Sequence, residues 1–217
     1  MNQTMNKIFI IGLPRTGTTS VCAAMLDLGF RVAHTAYTDR SFNEAQVIAD
    51  TPIFCDYQHL DKAYPDAKFI YLTRTMDKWL PSIGQLLARM HVNLIREDGG
   101  FNPIIKRCYK TVFAPYNLEN INDVAFLTQC YQQHEQQVQQ YFRGRKNRFL
   151  AIDISVEHSY LELLDFLNID HNKVDNLSFE KLNVGGKVTA WKDIKNTLKV
   201  DSTNKGRVTK LPYYTIE

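Results

Sequence analysis

The residues with the most chemistry in them stand near the N-terminus. Gly12-Leu13-Pro14-Arg15-Thr16-Gly17-Thr18-Thr19 sets two glycines and a hydroxyl at the spacing G-x-x-x-x-G-x-[ST]. Between a strand and a helix this spacing builds a phosphate cradle. The glycines permit a turn that aims successive N–H groups inward, and the positive end of the helix closes it. Nucleoside triphosphatases place a lysine after the second glycine to reach the β- and γ-phosphates; here that place holds Thr18, and the nearest cation is Arg15, inside the loop. The loop is therefore expected to take an anion shorter than a triphosphate. A second cation, Arg74, follows directly on the apolar run Lys68-Phe69-Ile70-Tyr71-Leu72-Thr73. Ligands of open parallel sheets gather beyond the carboxyl ends of strands, and a guanidinium can grip a phosphate with two parallel hydrogen bonds.

These side chains need elements to hold them. The short run 7–12, rich in β-branched residues, predicts a strand buried on both faces, and the pattern after it a helix over 18–28 stopped by Gly29. A second strand is expected over 31–34. Residues 43–50 read as either helix or strand, ended by Pro52. A short helix over 53–64 stops before Pro65, and 68–73 is a further strand. From Thr75 the period becomes helical, with Trp79, Ile83, Leu86, Leu87, Met90 and Leu94 on one face and Pro81 placed in the first turn, where no internal N–H bond is lost. Beyond Gly99-Gly100, helices are expected over 104–113 and 121–142, the latter with Ile121, Val124, Ala125, Tyr131, Val138 and Phe142 on its apolar stripe. A strand over 148–152 and a helix over 156–167 follow, then a polar tail of weak periodicity from Asp170. Strands alternating with helices predict an α/β fold of three layers, a mostly parallel central sheet flanked by helices, as a single domain over 1–217.

Pro14-Arg15-Thr16-Gly17-Thr18-Thr19 resembles the 5′-phosphosulfate loop of sulfotransferases that use 3′-phosphoadenosine 5′-phosphosulfate (PAPS), whose usual form is P-[KR]-[ST]-G-T-[TS]. The likeness continues on a second strand. In that family a strand-ending arginine and a serine eight residues later hold the 3′-phosphate, and here Arg74 is followed by Ser82, with Trp79 between. With Tyr64-Pro65-Asp66-Ala67-Lys68-Phe69-Ile70 these motifs are most similar to a branch of small sulfotransferases, over about 7–167. The resemblance implies a PAPS-binding set of Pro14, Arg15, Thr16, Gly17, Thr18, Thr19, Ser20, Arg74 and Ser82. Lys205-Gly206-Arg207 resembles the basic loop that closes over the nucleotide, or is a solvated tail. Many cytosolic members follow the paired threonines with a tryptophan that stacks on adenine; this chain has Ser20.

Sulfuryl transfer asks for in-line positioning and for charge stabilisation on the equatorial and leaving oxygens. Arg15 is placed to neutralise the bridging oxygen, with the amides of residues 16–19 assisting and no metal required. The acceptor must also lose a proton. Where cytosolic members carry a histidine two residues before a proline, this chain has Asp50, in Asp50-Thr51-Pro52. Asp50 reads equally as that base or as a cap on the helix that follows. His34 is the alternative base, and Asp56 and His59 are further candidates.

Composition sets the outer limits. The 217 residues, 44% hydrophobic and 23% charged, are those of a globular chain with a core of its own, and a net charge of +3 argues against bulk binding to nucleic acid. The basic run Arg143-Gly144-Arg145-Lys146-Asn147-Arg148 falls at a helix-to-strand turn without interleaved aromatics. Cys22, Cys55, Cys108 and Cys130 show neither zinc-site nor secreted-framework spacing, and no run approaches the ~20 apolar residues of a membrane helix. The expectation is a cytosolic protein acting on a small-molecule or glycan acceptor, without nucleic-acid or membrane partners. Two rivals stand beside it. One is a P-loop kinase or NTPase, with Asp153 after an apolar strand as its magnesium ligand; the other is a non-catalytic nucleotide-binding module on the same fold. Tyr109, Phe113 and Tyr116 are candidates to receive an acceptor ring, or are core.

Overall fold

A computed structural model describes residues 6–179, 183–184, 187–188 and 190–213; the ends of the span 1–217 lie outside the described residues. β1 (Ile8–Ile10) runs into the glycine loop and α1 (Thr18–Asp27) leaves it. β2 (Val32–Ala33), α2 (Asp39–Glu44), β3 (Val47–Ala49), α3 (Ile53–Ala63) and β4 (Lys68–Leu72) follow. Next come α4 (Met76–Ile95), α5 (Pro103–Val112), α6 (Leu118–Asn122) and α7 (Val124–Tyr141), then β5 (Phe149–Ile152) and α8 (Ser159–Leu167). The sheet has five strands in the order β2-β3-β1-β4-β5, all parallel, which is the expected α/β architecture.

Alternation along the strands builds the two halves of the core. Phe9, Ile11, Ile48, Phe69 and Tyr71 face α3 and α7, with Ile53, Leu60, Val138 and Phe142 packed on them. Ile8, Ile10, Val47, Ile70 and Leu72 face the other way, onto Val21, Cys22 and Met25 of α1 and Leu163 of α8. A third cluster around Leu13, Phe54, Trp79, Ile83, Tyr109 and Leu127 packs α4, α5 and α7 together. Burial on both faces is why the central strands read as continuous apolar runs.

Several expectations are corrected. Residues 43–50 hold both the end of α2 and all of β3, because Ala45 turns extended and frees the next residues to pair with β1. The helix expected over 121–142 is broken at Asp123, which adopts extended backbone and accepts from the Ala125 N–H at 2.8 Å as the N-cap of α7. The break changes which residues face inward. Val124 is 61% exposed, and α7 buries Leu127, Cys130, Tyr131, His134 and Val138 instead of Val124 and Ala125. Pro81 is the sixth residue of α4, beyond the first turn, so the helix runs through it with one main-chain donor missing. α8 begins at Ser159, after a turn at Asp153. The polar tail reaches the core: Val32 N–H donates to Leu198 O at 3.0 Å, Val200 N–H donates to Val32 O at 2.8 Å, and Val200, Leu211 and Tyr213 are buried. In the basic run, Arg145 and Arg148 each grip the buried Asp61 carboxylate at 2.6 Å, tying β5's approach to α3. Among the described residues no helix is long and apolar enough to cross a membrane.

Candidate active site at the carboxyl edge of the sheet

All five strands deliver a residue to one edge. In register, Ile10 lies beside Ala49 and Ile70, Ala33 beside Ile48, and Leu72 beside Ile152. The next residues of each strand therefore converge: the loop from β1, His34 after β2, Asp50 after β3, Arg74 after β4 and Asp153 after β5. They line a cavity of about 360 Å³ with Pro14, Arg15, Thr16, Gly17, Thr18, Thr19, Ser20, Lys78, Leu86, Tyr109, Ile154 and Ser155. That volume is in the range of small-molecule sites, about 300–1,000 Å³.

The loop is built by close approach. A Cβ on Gly12 would stand 2.6 Å from Leu72 Cβ, so only glycine lets β1 leave the sheet beside β4. Gly17 has φ +106°, and a Cβ there would meet Ile154 Cδ1 at 2.4 Å. Three successive carbonyls of the loop are then tied back into the protein. Leu13 O accepts from Thr16 Oγ1 at 2.7 Å, Pro14 O from the Trp79 indole at 3.0 Å, and Arg15 O from the Arg74 guanidinium at 2.7 Å. With its carbonyls held outward, the loop presents donors inward. Among the described residues nothing accepts from the N–H groups of residues 17–20, the orphans of the α1 N-terminus.

Arg15 Nε donates to Ser82 Oγ at 2.7 Å. Burial lowers its pKa, and the nearby charges of Arg89 and Arg74 act in the same direction. Neither Arg15 nor Arg74 forms an ion pair with a carboxylate among the described residues, so the positive charge of this corner calls for an anion. Arg74 is clamped at its main chain by the Tyr131 hydroxyl, which accepts from Arg74 N–H at 2.9 Å and donates to Arg74 O at 3.1 Å.

Opposite the arginines stand the two candidate bases, which meet at the paired threonines. Thr18 Oγ1 is 3.4 Å from Asp50 Oδ2 and 3.4 Å from His34 Nε2, and Thr19 Oγ1 is 3.0 Å from His34 Nε2. Asp50 has φ +55°, and its Oδ1 accepts from the Thr51 N–H and hydroxyl at 2.7 and 3.1 Å. Its main-chain carbonyl, not its side chain, receives the first amides of the α3 region, from Ile53 and Phe54. Oδ2 is left to face Thr18. His34 stacks on Trp191 at 5.3 Å. Burial lowers its pKa, Lys199 adds to the effect and Asp50 opposes it, so the imidazole is neutral at neutral pH.

The structure brings together Pro14 to Ser20 of the loop, Arg74, Asp50 and His34. Ser82 is reached only through Arg15 and does not line the cavity. Lys205 and Gly206 form the tip of an exposed two-residue turn whose base is Asn204 paired with Arg207, and none of them lines the cavity. Asp56 is paired with Arg107 and Tyr213, and His59 is exposed on α3, both outside the site. Tyr109 lines the cavity, whereas Phe113 and Tyr116 pack in the helical cluster. Asp153 accepts from the Ser155 N–H and hydroxyl at 2.8 and 2.7 Å, a local turn. Sequence reasoning missed Lys78, Trp79's hold on the loop and Tyr131. Lys78 had a signal, a cation in the first turn of the helix after Arg74; Tyr131 had none.

The comparisons fall on the same span. The sulfotransferase domain model matches residues 7–38 and 36–188. The Ava biosynthesis cluster protein M of Aspergillus versicolor is 29% identical where the two align, over 37% of this chain and 43% of that protein; the chain thus matches less than half the length of that relative. The matched residues contain the tied-back loop, all five strands and the arginine that joins loop to sheet, and on that ground the chain belongs to the sulfotransferase domain family.

Proposed function

We propose that the cavity binds PAPS and that the chain transfers its sulfuryl group to a hydroxyl or amine acceptor. The observation that carries this reading is the loop in which Thr16, Trp79 and Arg74 hold three consecutive carbonyls away from the cavity, with a cation at Arg15 and none at Thr18. Such a loop suits one tetrahedral anion at its amides, while Arg74 and Lys78 stand ready for a second.

In this reading the amides of residues 17–20 and Arg15 hold the 5′-phosphosulfate and stabilise the charge that grows on the leaving phosphate. Ser82 positions Arg15 through its hydrogen bond. Arg74 has the double task of holding the loop and gripping the 3′-phosphate. Asp50 Oδ2 takes the acceptor's proton, with neutral His34 the second group in reach. Tyr109 and Leu86 offer an apolar wall of the same cavity.

Calorimetric titration with adenosine 3′,5′-bisphosphate and with Mg-ATP tests the donor, and a radiolabelled PAPS assay over phenol, alcohol, sugar and amine acceptors tests the transfer. Binding of the bisphosphate with sulfate transfer supports the proposal. Preference for Mg-ATP would point to a kinase, and bisphosphate binding without transfer to any acceptor to a binding module.

A further inference from the structure

Away from the cleft, the fold gathers three cysteines that the sequence scatters. Cys55 on α3, Cys108 on α5 and Cys130 on α7 share one apolar cluster, and all are free thiols. The sulfurs of Cys55 and Cys108 and a carboxylate oxygen of Asp56 lie within 4.8 Å of one another. Asp56 is already committed: its oxygens accept from Arg107 at 2.8 and 2.6 Å and from the Tyr213 hydroxyl at 2.9 Å. Arg107 also donates to Cys55 Sγ at 3.8 Å. What remains is a pair of thiols side by side with a guanidinium against one of them.

The two thiols differ in access. Cys108 is fully buried, whereas Cys55 is half-buried and opens on a separate cavity of about 320 Å³ lined by residues of α3, α5 and α7, among them Gln58, Gln133 and Gln137. We propose that Cys55 and Cys108 form a peroxide-reactive dithiol that closes to a reversible disulfide cross-linking α3 to α5. The hydrogen bond with Cys108 holds the Cys55 thiol below its usual pKa, with Arg107 assisting, while that bond and burial push Cys108 up. Cys55 is accordingly the attacking thiolate and Cys108 the resolving thiol.

The steps balance with hydrogen peroxide as the oxidant. The Cys55 thiolate bonds to one peroxide oxygen, the O–O bond breaks, and the departing hydroxide takes up a proton as water, leaving a sulfenic acid. The Cys108 sulfur then attacks the Cys55 sulfur, and the expelled hydroxide carries off the Cys108 proton as a second water. The sulfurs close from within 4.8 Å to a bond of about 2.05 Å. A dithiol reductant returns both thiols. The bond would pin the cleft wall, because Tyr109 follows Cys108 and packs edge-on against Phe54, next to Cys55, at 5.9 Å.

The test is peptide mapping of the native, unmodified chain after brief hydrogen peroxide exposure and alkylation. A Cys55–Cys108 disulfide peptide that dithiothreitol removes is expected, with Cys55 consumed about tenfold faster than buried Cys22. In C108S, dimedone should label Cys55 as its sulfenic acid. Recovery of Cys55 and Cys108 as alkylated thiols in the native chain, or pairing of Cys55 with Cys130, would overturn the proposal without reference to C108S or to sulfotransferase activity.

Discussion

The guanidinium of Arg74 holds the main-chain carbonyl of Arg15 at 2.7 Å, so the two cations of the cleft are joined through the backbone of the turn between them. The strand that carries Arg74 thereby shapes the loop that carries Arg15. A change at either residue is expected to be felt at both halves of the proposed anion site.

Arg74→Ala should weaken binding of adenosine 3′,5′-bisphosphate by about 1.5–3 kcal/mol, the worth of a hydrogen bond to a charged group. Arg74→Lys should fall between, since a lysine keeps the charge but loses the planar fork. Calorimetry reads both, and unchanged affinity in the alanine variant would remove Arg74 from the site.

Trp79→Phe keeps an aromatic ring in the core but deletes the N–H that Pro14 O accepts from, together with part of the buried indole. A buried carbonyl left without its donor costs about 1–3 kcal/mol. Chemical denaturation should show that loss, and bisphosphate affinity should fall with it because the loop is then free to turn its carbonyl toward the anion.

Gly17→Ala places a Cβ at φ +106° and 2.4 Å from Ile154 Cδ1. Backbone strain of this kind costs about 1–3 kcal/mol, and the loop can escape only by leaving its cradle shape. Reduced thermal stability together with lost nucleotide binding is expected; full binding in the variant would show that the cradle does not need this geometry.

Asp50→Asn should lower turnover by about 10²–10⁴ with nucleotide affinity nearly intact, because it removes a proton acceptor and leaves Arg15 and the loop amides in place. Steady-state rates and calorimetry on the same preparation separate the two effects. A normal rate would transfer the base role to His34.

His134, on the buried face of α7 with Nε2 on Phe54 O at 2.8 Å, has its pKa pushed down to about 4 by burial. An unfolded histidine titrates near 6.5, so between these values the unfolded chain binds the extra proton. Its contribution is fully present above about pH 6.5 and is lost as pH falls toward 4, on the order of 3 kcal/mol across the window. His134→Gln keeps an N–H for Phe54 O and should flatten that part of the stability profile measured by urea unfolding at pH 7 and pH 4.5.

Local signals carried much of this fold. The strands at 8–10 and 68–72 stand out because burial on both faces makes them near-continuous apolar runs, the edge strand 149–152 is apolar although only Ile152 in it is buried, and α1 begins where the glycine loop must end. β3 was ambiguous because three residues cannot display a period, and pairing between β1 and β2 makes them a strand. The broken helix at Asp123 was hidden because a single aspartate between two apolar-periodic stretches reads as helical until its side chain caps the next turn.

By itself the sequence determined the kind of loop, its missing lysine, and the arginine at the end of a strand, since these follow from residue type and spacing along one segment. The tertiary structure alone decided that the carbonyls of Pro14 and Arg15 are bound from α4 and from Arg74 beyond β4, that Ser82 serves Arg15, and that Asp50 and His34 meet at the same threonine pair. Those are contacts between residues 15 to 67 positions apart. They exist because parallel strands in register carry their C-terminal residues to one edge, and strand order is set by packing both faces of the sheet rather than by any local pattern.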